Sequence, residues 1–173
     1  MLSTVEAEGL VDLYLGDTRR AAHSRLVAYL MRQLAQLFSA DTDLWEIVGL
    51  CHDLDFFQIS GDWKRHGLLT VEWLGDSIPS EAQHAIAAHD HRTGFKADSL
   101  LADSLKAADV VAVIDERLGR RLLCALEEDA GLTTLRDHLG DRTYLCDMLD
   151  HFLEKHLLSF ARIMAIVADA PPQ

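Results

Sequence analysis

Proline stands at only three positions, 79, 171 and 172. Nothing between the first and second of these forces a helix to stop. Apolar residues recur at spacings of three and four, as in Leu26, Val27, Leu30, Met31, Leu34 and Leu37, which makes one stripe along a helix. No long segment alternates with period two, and Ala and Leu, both strong helix formers, are abundant. These features predict an all-α chain, a helical bundle. The spacing predicts helices over about 5–15, from a cap at Asp17 or Thr18 to 38, and from a cap at Asp41 or Asp43 through 54. Further helices are predicted over 64–74, from Pro79 in a first turn to 91–94, and from 98 past 114. Two or three more follow over 117–168, broken near Gly131 and Gly140. Residues 170–173 read as a frayed tail.

A chain of 173 residues suits a single domain, 1–173, with a core it can bury without staples. The formal net charge is −12, which argues against a nucleic-acid polymer and against an anionic membrane as partner. No apolar run is long enough to span a bilayer, and the N-terminus lacks the pattern of a secretory leader, so a cytoplasmic protein is expected. Cys51, Cys124 and Cys146 form no C-x-x-C pair and read as small buried hydrophobes. Glu127, Glu128 and Asp129 read as a solvated face. The apolar stripe of residues 145–167, with Met148, Leu149, Phe152, Leu153, Leu157, Phe160 and Ile163, is expected to pack on the core, and it could also supply a homodimer seam.

Chemistry concentrates in Gly49-Leu50-Cys51-His52-Asp53-Leu54-Asp55, where an adjacent His and Asp close an apolar helical stretch. A second pair, His89-Asp90, has polar neighbours on its C-terminal side, and Asp90 reads as facing water. His23 precedes the first pair, His66 and His89 follow it, and Asp109 lies inside another apolar run. Each is expected on its own helix. Imidazoles and carboxylates on separate amphipathic helices are the material of a metal site in a bundle. His91 competes with His89. Two residues along a helix turn a side chain by about 200°, so only one of them can face a given centre, and the apolar setting of Ala85 and Ile86 favours His89. His84, His138, His151 and His156 read as ordinary.

The order His23, His52-Asp53, His66, His89, Asp109 resembles the H…HD…H…H…D pattern of the HD-domain superfamily of metal-dependent phosphohydrolases. The surrounding words Ala22-His23-Ser24, Ile86-Ala87-Ala88-His89 and Leu105-Lys106-Ala107-Ala108-Asp109 are similar too. The resemblance covers about residues 18–115 and is nearest to a small six-ligand branch with an H-D-[LIF]-D-[FY] segment. It implies an HD-type core with C-terminal support helices over about 117–168. It further implies His23, His52, Asp53 and Asp109 as ligands of one divalent ion, with His66 and His89 holding a second that Asp53 bridges. Mixed imidazole and carboxylate ligation suits Fe, Mn, Co, Ni or Zn.

Of the neighbours, Asp55 could orient a ligand histidine or act as a general acid or base. Lys64 and Arg92, with Arg65, Arg19 and Arg20 behind them, could bind phosphate oxygens. Phe56, Phe57 and Trp63 could line a pocket. The expected activity is hydrolysis of a phosphate ester, a nucleotide or small phosphorylated metabolite, by metal-activated water. Two alternatives stand beside it: a mixed-valent di-iron oxygenase on the same ligands, and a non-catalytic metal-containing sensing or binding protein. No nucleophile elbow and no Gly-rich phosphate loop occurs.

Overall fold

The computed structural model describes residues 1–126 and 131–171. Within them the chain forms ten α-helices and no strand: α1 (Thr4–Leu15), α2 (Arg19–Phe38), α3 (Thr42–Cys51), α4 (Leu68–Leu74), α5 (Ser80–Ala88), α6 (Leu100–Leu118), α7 (Arg120–Leu123), α8 (Gly131–Leu139), α9 (Tyr144–His156) and α10 (Phe160–Ala168). Most starts carry their own cap. Ser3 and Glu6 make a reciprocal capping box, Thr18 accepts from the Ala21 N–H, and Asp41 accepts from Asp43 and Leu44. Ser99 and Ser159 do the same for α6 and α10. Each such side chain satisfies a backbone donor that the helix leaves unpaired, for about 1 kcal/mol.

Helix α2 is the axis of the core. Its stripe of Leu26, Val27, Leu30, Met31 and Leu34 is buried, and it packs along α3 on one side and α6 on the other. Gly49 permits the first contact. A Cβ there would stand 2.5 Å from the Ala28 Cα, so the two backbones touch where any side chain would part them. Helix α5, which buries only alanines and Ile86 of its own, lies against α6, and α9 covers another side of α6. The apolar stripe of α9 and α10 is buried in the chain's own core, with Leu149, Phe152, Leu153, Phe160, Ile163, Met164 and Val167 all inside. The stripe thus packs on the core as expected, while Leu157 stays 92% exposed.

Several boundaries differ from the spacing's prediction. α3 stops at Cys51 rather than 54, and residues 52–60 run as hydrogen-bonded turns. The segment 63–67 is not the start of α4. Trp63–Arg65 makes one 3-10 turn, His66 is extended, and Gly67 takes a left-handed φ of 79° before α4 begins. α5 ends at Ala88, with a separate 3-10 turn at His91–Thr93. In each case the helix gives way where a polar side chain must be aimed at the centre of the molecule. The breaks expected near Gly131 and Gly140 fall where α8 begins, at Gly131, and just after it ends, at Gly140 with φ 58°. Cys51 and Cys146 are buried, but Cys124 is exposed. Ala170 is buried, and its carbonyl and that of Pro171 accept from Arg120, so the tail is tied down that far. Glu127–Asp129, Pro172 and Gln173 lie outside the described residues.

Candidate metal centre

His23 reaches the centre from one turn inside α2, and Asp109 from the middle of α6. The other four residues sit just beyond helix ends or between helices: His52 and Asp53 after α3, His66 before α4, His89 after α5. All six converge. His23 Nε2 lies 3.0 Å from Asp109 Oδ1 and 3.8 Å from Asp53 Oδ2. His52 Nε2 lies 3.5 Å from Asp53 Oδ2 and 3.9 Å from Asp109 Oδ1. On the other side, His66 Nε2 is 2.9 Å and His89 Nε2 is 3.5 Å from Asp53 Oδ1. Asp53 thus turns one oxygen to His23 and His52, and the other to His66 and His89. Two overlapping triads, His23-His52-Asp109 and His52-Asp53-His89, have ligand atoms all within 4.8 Å of one another.

The outward nitrogens are tied back. The Nδ1–H of His23 donates to Glu116 Oε1 at 2.8 Å, that of His52 to the Gly49 carbonyl at 2.8 Å, that of His66 to Asp55 Oδ1 at 2.8 Å, and that of His89 to the Ile86 carbonyl at 2.7 Å. Each acceptor is an oxygen, so each Nδ1 carries the proton and each Nε2 faces inward. Anchoring the far nitrogen of an imidazole in this way fixes its tautomer and ring orientation for a metal. His66 and His89 bring their Nε2 atoms to 3.2 Å, and His52 Nε2 is buried with no hydrogen-bond partner. An unpaired buried acceptor costs free energy, and a cation at this point satisfies it. The donor set therefore fits one or two divalent transition ions.

Electrostatics agree. Burial pushes His52 down to about 4, so its ring is neutral and its lone pair free. Burial opposes charge on His23 too, but hydrogen bonds to Asp109 and Glu116 outweigh it and raise the group to about 9. His66 rises likewise to about 10, burial being overcome by Asp53 and Asp55. Burial would raise the carboxyls of Asp53 and Asp109, yet the surrounding histidines hold Asp53 well below its ordinary value and Asp109 down at about 2. With no ion present, protons on two imidazoles balance the two carboxylates.

A cavity of about 1270 Å³ opens on this cluster. Asp53, His66, His89 and Asp109 line it, together with Phe56, Trp63, Arg19, Arg20, Arg92, Arg117 and Arg142. Arg20 donates to Asp53 Oδ2 at 2.8 Å and stacks over Phe56, 4.2 Å from its centroid. Arg92 forks onto Asp90 and lies 3.9 Å over the Trp63 ring. Asp90 is thus buried and engaged, not facing water.

Lys64 and Arg65 are exposed and line no part of the cavity. The 3-10 turn that delivers His66 points them outward, so a role for Lys64 in holding substrate does not fit its place. Asp55 is fully buried and binds His66 Nδ1, the Gly67 N–H at 2.7 Å and the Thr70 N–H at 3.3 Å. It lines no part of the cavity. His91 is exposed beside the buried His89. Phe57 is exposed as well. Sequence reasoning missed Glu116, Thr70, Arg117 and Arg142. Glu116 carried a signal, since it lies seven residues after Asp109 on the same face of α6.

Residues 20–114 match the family model of the HD domain, more than half of the chain, and the chain belongs to that family. HD domains are typical of metal-dependent phosphohydrolases. No curated protein matches the chain. No solved structure matches it either.

Proposed function

We propose that this protein is a metal-dependent phosphohydrolase acting on a small phosphate ester, with His23, His52, Asp53 and Asp109 holding one divalent ion and His66, His89 and Asp53 a second. The observation that carries the reading is the set of four inward Nε2 atoms with every Nδ1 tied back, opening on a cavity lined with guanidinium groups. Divalent ions held there supply Lewis acidity toward phosphoryl oxygens and make a bound water acidic near neutral pH.

The chain's own groups do the rest. Asp55 and Glu116 fix the rings of His66 and His23. Arg20 and Arg92 stand on the cavity wall with their planes set by Phe56 and Trp63, in place to hold phosphate oxygens through paired N–H donors. The test is elemental analysis of protein purified without chelator, followed by a phosphate-release screen over nucleotides and simple esters. Bound metal with release of phosphate supports the reading. The same six ligands would seat a mixed-valent iron pair, and oxygen uptake by the iron-loaded protein without phosphate release would replace this reading with oxygenase chemistry.

A further inference from the structure

The cavity extends well past the histidines, and at about 1270 Å³ it exceeds the usual range of small-molecule sites, roughly 300–1,000 Å³. Its far wall comes from segments beyond residues 20–114. Arg117 lies on α6 eight residues after Asp109, with Val113 between them at steps of four, so all three share one face. Eight residues of helix rise about 12 Å. The Arg117 side chain leans back toward the helix N-terminus, which shortens the gap to roughly 8–12 Å. Arg142, half-buried in the 3-10 turn that precedes α9, meets the same space.

The cavity's other charges are mostly engaged. Arg20 serves Asp53 and Arg92 serves Asp90, while Glu116 serves His23. Among the described residues, Arg117 and Arg142, like Arg19, which also lines the cavity, pair with no carboxylate, in a chain whose net charge is −12. Along α6, Val110 and Val113 stand between Asp109 and Arg117, and Leu145 and Met148 of α9 line the same cavity. The site therefore has a cationic end, an apolar waist and a metal-ligating end.

We infer that the substrate is a small molecule with two anionic groups, the second of which, a phosphate or carboxylate, is bound by Arg117 and Arg142 roughly 8–12 Å from the group held at the histidines. The inference rests on the reading of that centre as a phosphoryl site. Paired guanidinium donors suit either anion, and the waist suits an aliphatic or ring spacer. The C-terminal third thus becomes the part of the chain that selects the substrate.

The test uses a graded series of α,ω-alkane bisphosphonates, matching ω-phosphonocarboxylates and alkyl monophosphonates, titrated calorimetrically into manganese-loaded full-length protein. A bis-anion of matching span is expected to bind about tenfold more tightly than the monophosphonate of equal length, the worth of one charge-assisted hydrogen-bond pair. The phosphonocarboxylate arm assigns the second anion as phosphate or carboxylate by whichever series shows the gain. Arg117→Gln with Arg142→Gln should remove the gain without changing monophosphonate affinity, and the corresponding lysine variants should keep part of it. Both arginines are on the surface of the cavity, and an unchanged Tm confirms that the variants fold. Equal affinity at every span, or an optimum that survives both glutamines, overturns the inference. Phosphonates cannot be hydrolysed at their C–P bonds, so a span optimum that depends on these arginines stands even if no ester is cleaved. Phosphate release without any such optimum supports the phosphohydrolase and sinks the second anion site.

Discussion

At the scale of the residue, one carboxylate and three imidazoles decide the behaviour of the centre. Asp53 turns one oxygen to each half of the cluster, so Asp53→Ala should abolish metal retention and turnover together, and a variant that keeps its full metal content would falsify the ligand assignment. His66→Ala should halve the metal-to-protein ratio while leaving the His23 half filled, as elemental analysis would show. The pH dependence follows from His23 at about 9, His66 at about 10 and His52 at about 4 in the metal-free protein. Below the ordinary imidazole value of about 6.5, the unfolded chain protonates His52 while the folded chain does not until about 4. Stability contributed by that group is therefore lost as pH falls through this interval. For His23 and His66 the sign is opposite: the folded chain holds protons the unfolded chain has released, so their contribution is complete below about 6.5 and is lost as pH rises through about 9 to 10. Denaturant titrations of the metal-free protein should find these groups favouring a maximum near neutrality. Metal ligation requires neutral rings, so at pH 8 loading should release about two protons when both halves fill, measurable by calorimetry in buffers of different ionisation enthalpy. No proton release would mean that these imidazoles are not ligands.

At the scale of the element, two glycines hold helix ends where the ligands need them. Gly49 lets α3 lie on α2 and also supplies the carbonyl that orients His52. Gly49→Ala places a Cβ 2.5 Å from backbone, and overpacking of this kind costs about 1–3 kcal/mol. The expected result is a lower Tm and weaker metal binding from the same substitution. Gly67 has φ +79°, and a Cβ there would meet the Ile86 carbonyl at 2.5 Å and the His89 ring at 3.1 Å. Gly67→Ala should displace His89 as well as strain the entry to α4, and the loss of metal should exceed that of a distant control such as Gly9→Ala, where the space is open. The helices themselves were legible in the spacing of apolar residues. Their last turns were not, because the turns at 52–60 and 63–67 are set by polar side chains reaching partners far away in sequence. The bond between Asp55 and the Thr70 hydroxyl is one such case.

At the scale of the whole molecule, the centre ties α2, α3, α5 and α6 together across their ends. An ion there is a ligand of the folded state only, and at about 100-fold excess over its Kd it adds about 2.7 kcal/mol. For a chain of this length that corresponds to a rise in Tm of roughly 5–10 °C, which chelation should reverse and readdition of metal restore. An unchanged Tm across that cycle would show that the cluster binds no ion with useful affinity. α9 belongs to the same core as the ligand-bearing helices, so the wall that Tyr144, Leu145 and Met148 give the cavity is packed on the elements that carry the centre. That continuity is what allows a segment with no recognisable motif to take part in the site.

The sequence by itself determined the helical class and the approximate course of most helices, because apolar period is a local property, and its order of His and Asp, through the family resemblance it carries, pointed to the six residues that meet at the centre. Only the tertiary structure decided which neighbours count. It buried Asp55 and Asp90, turned Lys64 outward and placed Arg117 and Arg142 on the wall of the cavity that His66 and His89 also line. The physical reason is that burial and pairing of a charged side chain depend on what the rest of the chain places around it, and no spacing along the sequence records that.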